Sequence, residues 1–260
     1  MDFSQAILLG IIQGITEWLP VSSSGHLALA QQLMGLQVPV AFDIMLHLGT
    51  LLAVVIYYWR KLLAILLALI RLDSKSAEFR LALLILLGSI PTAIIGFALK
   101  DFFESMFSSP AMIGMALILT GFALFSTKFF RGKKRIGFAD AFVVGVAQGI
   151  AVAPGISRSG WTISAGMARG VEKEKAADFS FLLSIPALIG AAIFEGRNAV
   201  FSDIDLVVVA AGVIVAAAVG YASIAVLLKL VRRGDFHLFA YYCWLLGLAA
   251  IALGTGIFKF

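Results

Sequence analysis

Two short stretches of this chain carry residue types that could do chemistry together. The first runs Gln13-Gly14-Ile15-Thr16-Glu17-Trp18-Leu19-Pro20-Val21-Ser22-Ser23-Ser24-Gly25-His26, and the second Pro154-Gly155-Ile156-Ser157-Arg158-Ser159-Gly160-Trp161-Thr162. Gln13 and Glu17 are four apart, so on a helix they share a face one turn apart. Two oxygen donors at that spacing can hold a hard divalent cation such as Mg²⁺ or Ca²⁺, or simply bond each other. Ser22, Ser23, Ser24 and Gly25 put hydroxyls and backbone N–H groups at a helix break, where they can hold an anion, present a nucleophile or cap the helix. His26 can act as general acid, general base or nucleophile. Arg158, flanked by Ser157 and Ser159 with Gly160 and Thr162 beyond, offers a permanently charged fork that fits phosphate oxygens. An ion pair with Glu17, Asp43 or Asp178 is its plainer use. Cation ligands, a nucleophile or base, and a charge clamp together suit phosphoryl transfer. No Gly-Lys-Ser/Thr phosphate loop occurs, which argues against nucleotide-driven transport.

These groups lie in a chain that is otherwise built for lipid. Hydrophobic residues make up 61% of the 260, charged residues 13%, and the mean hydropathy is +1.02. That balance excludes a soluble globular protein and predicts an all-α polytopic membrane protein in a single domain over 1–260. Burying a carboxylate or guanidinium in such a chain costs several kcal/mol, roughly, unless it is partnered, so these residues are expected to function. Apolar runs long enough to span a bilayer fall at about 40–59, 79–99, 110–130, 178–196, 204–230 and 237–258. The runs at about 4–19 and 138–153 are shorter and end in the two polar clusters; they read as re-entrant hairpins, whose broken backbone must lie inside protein or line a cavity. Segment 61–71 is too short to cross and is expected along the interface. The N-terminus has no basic region ahead of its apolar run, so no signal peptide is expected, and the single Cys243 excludes an intramolecular disulfide.

All the Lys and Arg residues except Lys100, Arg158, Arg197 and Lys259 fall in loops on one side of this layout, while Asp101, Glu104, Glu195, Asp203 and Asp205 fall on the other. The positive-inside rule makes the basic side cytoplasmic and turns both termini outward. The net charge of +5 thus marks orientation rather than a nucleic-acid partner. A shift of 135 positions, without a gap, lays Gly10, Gln13, Gly14 and Ile15 on Gly145, Gln148, Gly149 and Ile150. It also lays Ser22, Ser24, Gly25 and Asp43 on Ser157, Ser159, Gly160 and Asp178. Each half, about 1–130 and 136–260, then holds one hairpin and about three spans. An odd number of spans inverts the second half relative to the first, an architecture that places a site where the hairpins meet.

At these residues the chain resembles the undecaprenyl-diphosphate phosphatases, also called the bacitracin-resistance proteins. The likeness rests on Gln13-x-x-x-Glu17 running into Pro20-Val21-Ser22-Ser23-x-Gly25-His26, and on Pro154-Gly155-x-Ser157-Arg158-Ser159-x-x-Thr162. It extends through Leu46 to Thr50, Leu87 to Pro91 and Phe179 to Pro186. The resemblance implies a cell-membrane hydrolase, its site toward the outer face, that takes the terminal phosphate from a polyprenyl diphosphate lipid with a divalent cation. It implies recycling of the lipid carrier for peptidoglycan and other surface polymers, and bacitracin resistance. Gln13 and Glu17 match its metal-linked motif, Ser22, Ser23 and His26 its catalytic serine and histidine positions, and Ser157, Arg158 and Thr162 its phosphate-binding motif. Gln13 departs toward the weaker ligand, since an amide binds a cation less well than a carboxylate. Three routes stand open: attack by Ser23, attack by His26, or water activated by His26; closeness in the chain favours Ser23 with His26 as base. The rival is a secondary transporter or flippase of polyprenyl phosphate, which the inverted-repeat layout also fits. Membrane lipid is the other expected partner, and a homodimer is an expectation that no motif tests.

Overall fold

The computed structural model describes residues 2–197 and 205–255. The expected span ends at 204 and 256–258, with Asp203 and Lys259, lie outside the described residues. Within them the chain is helical, the one β feature being an isolated bridge between Lys134 and Val171. The first hairpin is α1 (Phe3–Trp18) and α2 (Ser23–Leu33), followed by the span α3 (Val40–Tyr57) and the short α4 (Trp59–Ile70). Next come α5 (Ala77–Ala98), the short α6 (Lys100–Phe107) and α7 (Pro110–Ser126). The second half has the hairpin α8 (Phe138–Ile150) and α9 (Arg158–Ala168), then α10 (Lys173–Gly196), α11 (Leu206–Arg233) and α12 (Phe239–Gly254). Six helical segments are long and apolar enough to cross a membrane, and they coincide with the six runs read from the sequence. The chain is a multi-pass membrane protein.

At 1.5 Å per residue, α1 reaches roughly 24 Å and α8 roughly 20 Å, both short of a hydrocarbon core of about 30 Å. Each breaks and turns back, as the polar clusters predict. α1 starts on a capping box: Asp2 Oδ1 accepts the Gln5 N–H at 2.8 Å, and Gln5 Oε1 accepts the Asp2 N–H at 2.8 Å. At the far end of the hairpins, Ser22 caps α2 and Ser157 caps α9. Shifted by 135 positions, Ser23–Leu33 coincides with Arg158–Ala168. α4 is a 12-residue helix, too short to span, as expected of that segment. α6 is a helix that hydropathy missed: it buries only Phe103 and Met106 and shows solvent the charges around them.

The hairpins exchange partners between halves. α1 packs along α11, and α8 packs along α5. α7 and α12 pack on each other. This order and pairing are compatible with two repeats. Small residues make the close approaches: a Cβ on Gly10 would lie 2.6 Å from the Gly212 carbonyl oxygen, and one on Gly14 2.8 Å from Val219 Cβ. At the α7–α12 crossing, a Cβ on Gly247 would lie 2.7 Å from the Gly114 oxygen and 2.8 Å from Ile118 Cγ1. Gly247→Ala is therefore expected to destabilise the chain by about 1–3 kcal/mol through overpacking. The check is a thermal unfolding scan in detergent, which should show a lower midpoint than for Leu248→Ala on the exposed side of the same helix.

The main core gathers where the hairpin tips meet the spans. Trp18, Ile163, Phe181, Leu182 and Ile224 are buried there, and Trp18 meets Phe181 edge-on with ring centroids 5.3 Å apart. On the far side, Asp140 at the start of α8 is clamped by Lys134 Nζ at 2.9 Å, Arg169 Nε at 3.1 Å and the Gly137 N–H at 3.0 Å. That clamp ties the loop before α8 to the end of α9.

Candidate active site

The two hairpin tips touch through Ser22. Its backbone sits at φ 71, the left-handed region that costs a non-glycine residue about 1–2 kcal/mol. In that position its Oγ accepts the Gly155 N–H at 3.1 Å across the gap and the Gly25 N–H at 3.4 Å at its own helix start. Gly155 itself sits at φ +88 against α7, where a side chain has no room. Thr120 of α7 holds the second tip: its hydroxyl donates to the Gly155 carbonyl at 3.3 Å and accepts the Ser157 N–H at 3.1 Å. The starts of α2 and α9 are thereby brought together. The first N–H groups of each have no acceptor within their helix, and both carry the positive end of a helix dipole. Two such ends beside one guanidinium form a receptor for a multiply charged anion.

Glu17 is the centre of the side-chain cluster. One carboxylate oxygen pairs with Arg158 Nη2. The other accepts Ser23 Oγ at 2.7 Å and Gln13 Nε2 at 3.1 Å, with His47 Nε2 3.7 Å away. Gln13 also donates to Thr50 Oγ1 at 3.4 Å. Arg158 lies over the Trp18 ring, 5.2 Å from its centroid, and its Nη1 is buried without a protein partner. An always-charged fork with one nitrogen on a carboxylate and the other unpartnered is ready to take an oxyanion. His47 and Thr50 lie midway along α3, so the cluster sits near the middle of that span.

Gln13, Glu17, Ser23 and Arg158 are joined by direct contacts; the other expected residues stand around them. Ser22 and Ser157 bond N–H groups of the tips, and Ser24 and Ser159 lie beside them, Oγ to Oγ, at 3.4 and 3.3 Å. Gly25 and Gly160 supply the capped N–H groups. Thr162 turns away from the cluster, its hydroxyl bonding the Arg158 carbonyl at 2.7 Å and Ser180 Oγ at 2.6 Å, so it fixes the first turn of α9. The expected pairing of Ser23 with His26 is not made. Ser23 and His26 are three apart on α2, but Glu17 claims the hydroxyl. His26 instead bonds the Ser22 carbonyl through Nδ1 at 2.8 Å and Tyr242 Oη through Nε2 at 2.7 Å, with its ring stacked on Tyr242. With Nδ1–H donating to that carbonyl, Nε2 carries the lone pair and accepts the phenol proton.

His47, Thr50, Thr120 and Tyr242 were not picked out for the site by sequence reasoning. His47 and Thr50 had a usable signal, being polar and on one face of an apolar span; Thr120 and Tyr242 had none. For a cation, the protein offers one Glu17 oxygen, the buried and unpartnered Gln13 Oε1, and Ser23 Oγ. Among the described residues no group of three or more His, Cys, Asp and Glu gathers to hold a metal ion. Three protein oxygens are fewer than a hard cation takes, so one held here would draw most of its ligands from a bound anion or water.

The family model described as bacitracin resistance protein BacA matches residues 6–249. The protein named undecaprenyl-diphosphatase in Desulforapulum autotrophicum is 44% identical over 277 residues, covering 98% of this chain and 99% of its own length. That of Carboxydothermus hydrogenoformans is 44% identical, covering 97% and 98%, and that of Korarchaeum cryptofilum 40% identical, covering 97% and 100%.

Proposed function

We infer the function from the family as well as the site: the chain belongs to the bacitracin resistance protein BacA family, and it is a phosphatase of undecaprenyl or a related polyprenyl diphosphate. The observation that carries the reading is the shared carboxylate, Glu17, bonded at once to the hydroxyl of Ser23 and to the guanidinium of Arg158. A nucleophile, its proton acceptor and an anion clamp are then joined within one group.

The reaction runs as follows. The diphosphate enters between the starts of α2 and α9, and Arg158 moves from Glu17 to the phosphate oxygens. Ser23 Oγ attacks the terminal phosphorus, its proton passes to Glu17, and the bond to the bridging oxygen breaks, releasing the polyprenyl monophosphate. Water then attacks the phosphoserine: its proton passes to His26 Nε2 once Tyr242 releases it, the bond from phosphorus to Ser23 Oγ breaks, and Glu17 returns the first proton to Oγ as inorganic phosphate leaves. Phosphoryl transfer passes through a loose transition state, so positioning and charge matter more than base strength, which suits a carboxylate as acceptor. Glu17 and Gln13 Oε1 would hold a divalent cation, Mg²⁺ or Ca²⁺, which would supply charge neutralisation to the bound diphosphate.

The site opens to the outer face of the cell membrane, on the side away from the basic loops, and the activity recycles the lipid carrier for peptidoglycan and other surface polymers. Raised levels of the protein would then confer bacitracin resistance. A transporter or flippase shares the hairpin architecture, but it gives the Ser23–Glu17 bond no task.

The test is phosphate release from farnesyl or undecaprenyl diphosphate by purified protein with Mg²⁺, Ca²⁺ or EDTA. Release with cation and none with EDTA supports the reading. No release from folded protein, combined with uptake of polyprenyl phosphate into vesicles, overturns it in favour of the transporter. Gln13→Glu adds a second carboxylate to the cation set, and is expected to lower the cation concentration for half-maximal activity by about tenfold. An unchanged cation titration would place the metal away from Gln13.

A further inference from the structure

A second charged site lies apart from the catalytic cluster. A cavity of about 440 Å³ opens between the loop that precedes α5 and the starts of α8 and α10. Its lining includes Lys61, Lys75, Arg80, Arg135 and Lys175, drawn from both halves of the chain. The one carboxylate in the lining is Asp178, already engaged by Tyr58 Oη at 2.8 Å and Lys61 Nζ at 3.3 Å. Lys75, Arg80, Arg135 and Lys175 have no carboxylate partner among the described residues, and Arg80 lies over the Phe138 ring at 5.8 Å. The start of α5 at Ser76 and Ala77 adds its positive helix end to the rim. Beneath the charges the floor is apolar, formed by Leu81, Leu84, Phe179 and Leu182.

The cavity is distinct from the phosphatase site. Lys61 lies beyond the end of α3 and Asp178 beside it, whereas Gln13 and Glu17 meet α3 at Thr50 and His47. Thr50 and Tyr58 are eight residues apart, roughly 12 Å along a helix axis. The cavity belongs to the end of the spans where the basic loops gather, the side turned to the inner leaflet by the charge rule. That leaflet presents anionic headgroups, which attract lysine and arginine side chains held near its surface. A soluble anion would satisfy the charges and leave the apolar floor wet. A phosphate carried on a hydrocarbon chain uses both.

We propose that this cavity binds the phosphate headgroup of a membrane lipid, its chain lying along Leu81 and Ile136, the partly exposed apolar residues of the lining. The proposal rests on the cavity and the membrane topology alone and stands independently of the phosphatase reading.

The test uses the full chain in nanodiscs of zwitterionic lipid, with bound lipid read by native mass spectrometry. The probes are phosphatidylglycerol, farnesyl monophosphate and inorganic phosphate. Lys75→Gln/Lys175→Gln is expected to weaken phosphatidylglycerol binding by about tenfold or more, while Lys75→Arg/Lys175→Arg binds as the wild type does. Farnesyl monophosphate reports which lipid phosphate is held more tightly, and its binding is expected to fall in the Gln variant as well. Phosphate release from farnesyl diphosphate should be equal in all three proteins, so a failed phosphatase reading would show separately, as no release from any of them. Equal lipid retention by the wild type and the Gln variant would overturn the proposal. So would inorganic phosphate binding as tightly as the lipids, since the apolar floor would then contribute nothing.

Discussion

Arg158→Ala is expected to lower kcat/KM for polyprenyl diphosphate by about 10³-fold or more. Removing a single preorganised donor from a transition-state oxyanion site costs about 10²- to 10³-fold, and here the donor is also a full charge beside a diphosphate. The variant has a second consequence, because Glu17 is buried and would lose its cationic partner. Breaking a buried pair from one side destabilises by about 3–5 kcal/mol, whereas replacing both partners by neutral groups is often harmless. Glu17→Gln/Arg158→Gln is therefore expected to unfold near the wild-type midpoint and to remain inactive. Arg158→Lys keeps the charge, loses the fork, and should fall between. Steady-state kinetics beside a thermal scan separates the two effects. Full activity in the double variant would leave the pair a purely structural bond.

Ser23→Ala is expected to cost about 10³-fold or more in kcat, the scale seen when a nucleophile is removed from a site whose anion contacts survive. The neighbours provide the control. Ser24 meets only Ser22 Oγ, at 3.4 Å, so Ser24→Ala should stay within about tenfold of wild type. The hydroxyl of Ser23 alone is held by Glu17, at 2.7 Å. Retention of more than a tenth of wild-type kcat in Ser23→Ala would remove Ser23 as the nucleophile and return the attack to water or His26. Acid-quenched enzyme is expected to carry phosphate on Ser23 during turnover.

The spans were legible because continuous apolar runs leave a bilayer chain few alternatives, and the hairpins because polar clusters follow runs too short to cross. Helix capping was one open use of the Ser22 to Gly25 cluster, and Ser22 does cap α2; the extents of α2 and α9 were not read from the sequence. What hydropathy hid were polar residues within helices. α10 begins at Lys173, ahead of its apolar run, because Lys173, Glu174 and Lys175 are good helix formers outside the lipid. α6 escaped for a similar reason, its charges outnumbering its two buried residues.

Within the site, the types of residue were readable and their pairings were not. The choice of Glu17 over His26 as partner of Ser23 depends on how α2 turns back on α1, which the left-handed Ser22 sets and no spacing rule reveals. Tyr242 is 216 residues from His26, and Thr120 reaches a tip 37 residues away at Ser157; such contacts leave no periodic trace. Arg158 is the opposite case. A lone arginine at membrane depth demanded a partner, and Glu17 was among the three carboxylates that could supply one.

The measurement that tests the central claim most directly follows the terminal phosphorus. Purified wild-type protein with Mg²⁺ would be given undecaprenyl diphosphate labelled at its terminal phosphate, and the products separated. The account predicts label in inorganic phosphate, unlabelled undecaprenyl monophosphate in equal amount, and neither product from Arg158→Ala. Label released as inorganic diphosphate with free prenol, or label that stays on the lipid, would contradict it.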